Sequence, residues 1–293
     1  MRLDDERESS NFEIQRGGGM GGGLGGGMGG GLLGMLLPMI GSRFGCGGIA
    51  VVLILFAVFG GGLNMLGGGG SQLAPHEQAD PQSLTPIQRT SLQVLGSTER
   101  RWQEIFSQQG EQYPPPTLVF YDRNGMSGCG AAQSAMGPFY CPADQKIYLD
   151  TQFFNELETR MDAPGDFPIG YIIAHEVGHH IQTITGTAAK VRQAQQRASQ
   201  EEGNALQVRM ELQADCYAGV WAARDENLME PGDLEEGMRA AHQIGDDTLM
   251  RSAGRKPVES MFTHGSSEQR MKWLKRGLDT GNPAACDTFA AGI

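Results

Sequence analysis

The stretch YIIAHEVGHHIQ occupies residues 171–182 and contains the segment HEVGH. Apolar residues flank this segment on both sides and Pro168 precedes it, so we predict a helix that begins near the proline. Because residues four apart lie on one face of a helix, His175 and His179 can direct their imidazole nitrogens at a single metal ion. Glu176 then projects beside that ion, where its carboxylate can act as the general base for a water molecule.

A second stretch, MELQADCYAG at residues 210–219, supplies the candidate third ligand. Glu211 and Asp215 are four residues apart and share a helix face. Since a catalytic zinc takes three protein ligands, we predict that Glu211 completes the set and that Asp215 fixes the tautomer of a ligand histidine. The alternative is an ordinary solvated acidic pair. The small residues Ala214 and Gly219 favour a closely packed helix and therefore the metal site.

Together, HEVGHH and ELQAD resemble the gluzincin pattern, in which two helices supply two histidines and a glutamate. The chain is more closely similar to the putative neutral zinc metallopeptidase family of bacterial membrane-anchored proteins. Besides an Arg- and Gly-rich N-terminus with one apolar span, the matching segments are Cys-Gly near 129, FYCPADQKIYLD, HEVGHH, ELQADCYAGVWA and FTHGSSEQR. The resemblance covers nearly the whole chain. It implies a zincin-like catalytic domain that binds Zn2+ and hydrolyses a peptide or protein substrate.

The segment FTHGSSEQR carries a second candidate catalytic residue. Ser266 and Gln269 have the spacing of a capping box, which predicts that a helix begins here, with His264 just ahead of it. The segment is similar to the Thr-His-Pro…Arg element of membrane CAAX-type metallopeptidases, with Gly265 in place of the proline. By resemblance to gluzincins, His264 is assigned a hydrogen bond to the tetrahedral oxyanion. The alternative is that it only packs the turn, and Arg270 is expected to hold a carboxylate in the site.

The chain from residue 86 onward predicts an α+β domain, mostly helical with a small β-sheet. Apolar residues recur at helical spacing through most of it, whereas TLVFY, FYC and KIYL indicate short strands. We interpret Ile147 to Asp150 as an edge strand along which an extended substrate lies as an added strand. A core strand is the open alternative.

Residues 45–66 are apolar and uncharged, and they reach the ~20 residues that a membrane span needs. Arg16 and Arg43 precede this segment, and the first charges after it are those of Glu77 and Asp80. The positive-inside rule therefore predicts a single-pass protein of the bacterial cell membrane, with a cytoplasmic N-terminus and an extracytoplasmic (periplasmic) body. A cleavable signal peptide and a buried core helix are the alternatives.

These features divide the chain into four parts. Residues 1–44 are polar and then glycine-rich and predict a disordered tail, and residues 67–85 predict a flexible linker. Residues 45–66 are the transmembrane helix, and residues 86–293 form the catalytic domain. The net charge of −11 argues against nucleic acid as a partner. The sequence gives no indication of the oligomeric state.

The predicted domain contains four cysteines, an even number that permits two disulfides in an oxidising compartment. They are Cys129, Cys141, Cys216 and Cys286. Three pairings are possible. One of them joins Cys129 to Cys141 across a short loop and Cys216 to Cys286, which would tie the C-terminus to the Glu211 helix.

The predictions combine into a membrane-anchored zinc metalloendopeptidase in which Glu176 takes a proton from the attacking water and passes it to the leaving amine. The alternative is a non-catalytic, zinc-containing envelope protein that serves in binding or quality control. A structural zinc has four protein ligands, and His180 or Asp215 would then be the fourth.

Overall fold

The computed structural model describes residues 1–15, 83–225 and 227–290. The predicted membrane span, residues 45–66, lies outside the described residues, as does nearly all of the predicted linker. Across the described ranges, no helix combines the length and the apolar character that a membrane crossing requires. The described part is mostly helical with a small sheet, which confirms the predicted α+β class.

All six strands of the described residues precede the helices that carry the candidate site. The strands are β1 (Phe12–Gln15), β2 (Thr117–Tyr121), β3 (Asn124–Ser127), β4 (Gly130–Gln133), β5 (Phe139–Cys141) and β6 (Lys146–Asp150). The α-helices are α1 (Pro86–Gln108), α2 (Gln152–Arg160), α3 (Phe167–Ile184), α4 (Thr187–Gln195), α5 (Gln200–Ala223), α6 (Asp233–Gln243), α7 (Asp246–Ser252) and α8 (Ser267–Thr280). The segment HEVGH therefore lies in the middle of α3, and Glu211 lies in the middle of α5.

One sheet contains β1, β2, β6 and β5 in that order, and β3 pairs with β4 in a separate hairpin. The first two pairings are parallel, whereas β5 runs antiparallel to β6, with Phe139 opposite Tyr148. The prediction that Ile147 to Asp150 is an edge strand is wrong, because β6 pairs with β2 on one side and with β5 on the other. The edge strand that contacts the HEVGH helix α3 is β5.

Residues 1–15 belong to the folded unit, so the prediction of a disordered tail is wrong for them. Met1 and Leu3 are buried, and β1 pairs with the outer side of β2. The segment is rich in charge, and its partner strand is distant in sequence, so the local pattern indicates disorder where tertiary pairing imposes order. Residues 16–44 lie outside the described residues.

Glycines let the site helices approach one another closely. A Cβ at Gly178 of α3 would lie 2.9 Å from the Cα of Ala214 on α5. A Cβ at Gly219 of α5 would overlap the carbonyl of Leu274 on α8. Since the distance between packed helices depends on the side chains at the contact, these glycines fix α5 against α3 on one side and against α8 on the other.

Two disulfides brace the unit, and both belong to the pairing considered above. Cys129 is bonded to Cys141, which ties the β3–β4 hairpin to the end of β5. Cys216 is bonded to Cys286, which ties a C-terminal 3-10 turn to α5. The prediction of two disulfides is confirmed, and each one connects to an element beside the candidate site.

Candidate metal centre

The helices α3 and α5 bring the three predicted ligands, His175, His179 and Glu211, together. The two imidazole rings have centroids 4.8 Å apart. Nε2 of His175 lies 3.2 Å from one carboxylate oxygen of Glu211, and Nε2 of His179 lies 3.5 Å from the other. Both histidines therefore present the same ring nitrogen to one carboxylate, which is the convergence that a shared ion requires.

A buried carboxylate orients the first histidine. Oδ1 of Asp215 lies 2.8 Å from Nδ1 of His175 and accepts a 2.6 Å hydrogen bond from the hydroxyl of Tyr171. Burial alone would raise the pKa of Asp215, but Arg270 and His175 outweigh it and hold that pKa below its usual value. The ionised Asp215 holds the proton of His175 on Nδ1, so Nε2 is the ring nitrogen left to bind a metal ion beside Glu211.

Arg270 binds a carboxylate in the site, as the sequence indicates, and that carboxylate belongs to Asp215. The guanidinium also donates a 3.3 Å hydrogen bond from Nη2 to the Tyr171 hydroxyl. Tyr171 was not predicted as a site residue. The available signal was its position one helical turn before His175, which places both side chains on the same face of α3.

An amide orients the second histidine, and the sequence prediction missed it. Oε1 of Gln182 lies 2.9 Å from Nδ1 of His179. The amide nitrogen of Gln182 donates to the carbonyl of Met210 at 2.8 Å and to Oε1 of Gln213 at 3.1 Å. These donations leave the Gln182 oxygen facing the ring, so His179 carries its proton on Nδ1 as His175 does. The sequence feature that could have indicated this role is the position of Gln182, three residues after His179 on one helix.

Glu176 is buried beside the candidate metal ligands His175, His179 and Glu211. Burial raises the pKa of its carboxyl, an effect that the neighbouring histidines and the Tyr140 backbone oppose only in part. Only 7% of Glu176 is exposed. A carboxyl whose pKa rises toward neutrality is suited to accept and return a proton.

His264 reaches the same region from the turn before α8. Its Nδ1 lies 3.2 Å from Oδ1 of Asp246, and Oδ2 of Asp246 accepts the backbone N–H groups of Thr263 and His264, each at 2.7 Å. Burial lowers the pKa of His264, but Asp246 and the charge of Glu211 raise it overall. His264 therefore lies within the electrostatic reach of the ligand set, in a fixed orientation.

Sequence reasoning misses Asp246, because the apolar periodicity of residues 234–250 indicates one continuous helix. The structure breaks that helix, and α7 begins at Asp246 after α6 ends at Gln243. The break occurs at Gly245, where an added Cβ would overlap the backbone of Ser267. A glycine followed by two acidic residues, Asp246 and Asp247, is a sequence signal for the end of one helix and the first turn of the next. The capping box of Ser266 and Gln269 is confirmed.

His180, one of the two candidates for a fourth ligand, is occupied elsewhere. Its Nε2 lies 2.6 Å from the carbonyl of Pro114, and its Nδ1 lies 3.1 Å from the hydroxyl of Tyr140 on β5. Asp215, the other candidate, is bound by Arg270 and His175. Neither residue has a free ligand atom directed at the metal ligands, so the predicted four-ligand structural site lacks its fourth member.

The donor set fits a zinc ion. Two neutral imidazoles and one carboxylate are the ligands of catalytic zinc sites in the His-His-Glu class, whereas structural sites use four ligands and favour cysteine. Burial raises the pKa of the Glu211 carboxyl, but its interactions with His179 and His175 outweigh this and keep that pKa well below its usual value, so the carboxyl is ionised. The side chain of Gln207 also donates to its Oε1 at 2.8 Å.

The fold and the sequence motif define a protein of the HExxH class, with a candidate metal site between two closely packed helices. The chain belongs to the family described as "Putative neutral zinc metallopeptidase", whose model matches residues 1–289. The uncharacterized protein YpfJ of Escherichia coli (strain K12) is 44% identical over 255 residues, covering 85% of this chain and 88% of that protein. The uncharacterized protein Mb2605 of Mycobacterium bovis is 40% identical over 192 residues, covering 61% and 64%. No solved structure matches the chain.

Proposed function

We propose that the protein is a zinc metalloendopeptidase with a zincin-like catalytic domain. The observation that carries this proposal is the convergence of His175, His179 and Glu211, with Glu176 buried beside them. A glutamate directly after the first histidine has no use in a structural site. In a hydrolase it is the proton acceptor that the reaction requires.

Glu176 is the general base and then the general acid of the proposed reaction. Zinc, when bound by His175, His179 and Glu211, supplies Lewis acidity that lowers the pKa of water and polarises a carbonyl. The Glu176 carboxylate takes a proton from the attacking water and delivers it to the nitrogen of the leaving amine. Burial favours this exchange because it raises the pKa of the carboxyl toward neutrality.

His264 stabilises the oxyanion that forms on the substrate carbonyl. Asp246 engages Nδ1 of its ring, so Nε2 is the nitrogen left to donate to the oxyanion. The turn is rigid because three successive backbone N–H groups, those of Thr263, His264 and Gly265, donate to one oxygen of Asp246. A fixed donor loses little free energy to reorganisation when charge develops on the substrate.

An extended peptide substrate lies along β5. This strand pairs with β6 on one side. The backbone N–H of Tyr140 donates to the carboxylate of Glu176, and the Tyr140 hydroxyl lies 3.1 Å from Nδ1 of His180. Main-chain hydrogen bonds to a sheet edge give affinity for any peptide, whatever its side chains. Addition to β5 would present the scissile bond beside Glu176.

We further propose that the protein is located in the bacterial cell envelope. Residues 45–66 anchor the chain in the cell membrane, and the two disulfides favour an oxidising compartment outside the cytoplasm for the body. The substrate is then a peptide or protein of that compartment.

The test is cleavage of an unfolded polypeptide by the zinc-loaded protein and by its Glu176→Gln variant, with bound zinc measured in both. Glutamine matches the shape of glutamate but cannot accept the proton. We expect unchanged zinc content and a loss of cleavage of ~10²-fold or more. Glu158→Gln, on an exposed face of α2, is the matched control and should cleave normally. Equal cleavage by Glu176→Gln would refute the mechanism.

A further inference from the structure

Residues 1–15 are held to the body by backbone hydrogen bonds at three separate places. The N–H of Arg2 donates to the carbonyl of Leu228 at 2.8 Å, and the N–H of Ser9 donates to that of Leu92 at 2.9 Å. Farther along, β1 pairs in parallel with β2 over four residues, from Phe12 opposite Leu118 onward. The segment therefore crosses the body from the loop after α5, past α1, to the sheet.

Side chains make these contacts specific. The buried hydroxyl of Ser9 and the amide of Asn11 both donate to Oε1 of Glu99 on α1, at 2.5 and 2.8 Å. Lys146 of β6 donates to a carboxylate oxygen of Glu13 at 2.7 Å. A Cβ at Gly96 of α1 would overlap the carbonyl of Arg7, so α1 has a glycine where the segment passes. The buried side chains of Ser9 and Glu99 therefore satisfy one another where the segment crosses α1, as buried polar groups in native interfaces do.

A segment that supplies a strand to a sheet must be in the same compartment as that sheet. A single crossing by residues 45–66 would place β1 and β2 on opposite sides of a membrane and break every contact just described. We infer that residues 1–15 and 83–290 lie together on the extracytoplasmic side of the membrane. We assign the extracytoplasmic side because the body contains two disulfides, which persist in oxidising compartments outside the cytoplasm.

The sequence between the two parts is compatible with this arrangement. Arg43 is the only Asp, Glu, Lys or Arg between Arg16 and Glu77. It separates two uncharged runs, residues 17–42 and 44–76, and each is longer than the ~20 residues that one span needs. Both runs lie outside the residues that the structure describes. The inference goes beyond the proposed peptidase activity and does not depend on it.

The test is labelling of single cysteines by a membrane-impermeant maleimide in spheroplasts that express the full chain. Asp5→Cys reports on the N-terminal segment and Glu158→Cys on the body, each in a Cys46→Ser background. Both replaced side chains are exposed, so neither change disturbs the fold. We expect both to be labelled before lysis. Labelling of only one before lysis, or of neither, would overturn the inference.

A second measurement shows whether the segment is seated on the body in the intact protein. Leu3→Cys, at a buried position, should react much more slowly than Asp5→Cys in the solubilised full chain, because reaction requires local opening. Gly96→Leu should remove that protection by displacing Arg7. Gly203→Ala should preserve it, since no heavy atom lies within 4 Å of the added Cβ. Equal reactivity of Leu3→Cys and Asp5→Cys without the Gly96 change would also overturn the inference.

Discussion

Arg270 binds both carboxylate oxygens of Asp215, with Nε 2.9 Å from Oδ2 and Nη2 2.8 Å from Oδ1. Arg270 is 3% exposed and Asp215 is fully buried, so the pair is bidentate and desolvated. Asp215 in turn holds Nδ1 of His175. The orientation of a metal ligand on α3 therefore depends on a guanidinium that α8 supplies.

Loss of Arg270 should destabilise the fold. In the Arg270→Ala variant, the charge of Asp215 stays buried without its partner, which costs about 3–5 kcal/mol of unfolding free energy. Arg270→Lys should recover only part of this, because an ammonium cannot bind two oxygens in a fixed fork. Urea unfolding of the metal-free protein measures the effect. Lys272→Ala, exposed on the same helix, is the control and should change the unfolding free energy by less than ~0.5 kcal/mol. An Arg270→Ala variant as stable as this control would show that the Arg270–Asp215 ion pair does not contribute to the stability of the fold.

Removing a group that orients a ligand histidine should weaken zinc binding without abolishing it. Asp215→Asn and Gln182→Ala each leave all three metal donors in place but free one imidazole to rotate or change tautomer. We expect zinc affinity to fall by about 10- to 100-fold in each variant. Competition with a chelating indicator measures it. Gln193→Ala, at an exposed position on α4, should bind zinc normally. Normal affinity in Gln182→Ala would mean that the amide does not orient His179.

His264 should affect turnover and not metal content. We expect His264→Ala to reduce kcat by about 10²-fold, the usual effect of losing one oxyanion donor, with zinc content unchanged. Steady-state kinetics on a peptide that the protein cleaves measures this effect. His242→Ala provides a matched histidine control, because His242 is exposed at the end of α6. A fall in zinc content in His264→Ala, or unchanged kcat, would remove the proposed role.

A single methyl group between the site helices should destabilise the protein. Gly178→Ala would place Cβ 2.9 Å from the Cα of Ala214 and 3.1 Å from its carbonyl oxygen, and backbone atoms cannot yield easily. We expect a cost of about 1–3 kcal/mol, together with weaker zinc binding as Glu211 moves away. Gly203→Ala meets no neighbouring atom and lies within a helix, so it should be neutral or stabilise by up to ~1 kcal/mol. If both variants unfold at the same urea concentration, the close approach does not matter.

Sequence reasoning succeeds where the signal is local. The spacing from His175 to His179 and from Glu211 to Asp215 indicates which side chains share a helix face. The capping box of Ser266 predicts the start of α8. In each case a periodicity of about four residues carries the geometry, so no tertiary information is needed.

Sequence reasoning fails where the structure of a segment depends on a partner segment that is distant along the chain. The position of β6 inside the sheet depends on β5 and β2, and the order of residues 1–15 depends on β2, so neither can be read from local composition. The roles of Gln182 and Asp246 emerge only when helix ends and rotamers are known. A glutamine three residues after a ligand histidine is a usable signal, but a weak one without the fold.

The measurement that tests the central claim most directly is the amount of zinc bound per chain by the purified full-length protein and by its Glu211→Ala variant. The three-ligand centre predicts one zinc per chain in the unchanged protein and a large loss of affinity in the variant, because two histidines alone do not hold a catalytic zinc. Zinc retained at unchanged affinity in Glu211→Ala would contradict this ligand set. Absence of zinc from the folded, unchanged protein in zinc-containing buffer would contradict the metallopeptidase proposal itself.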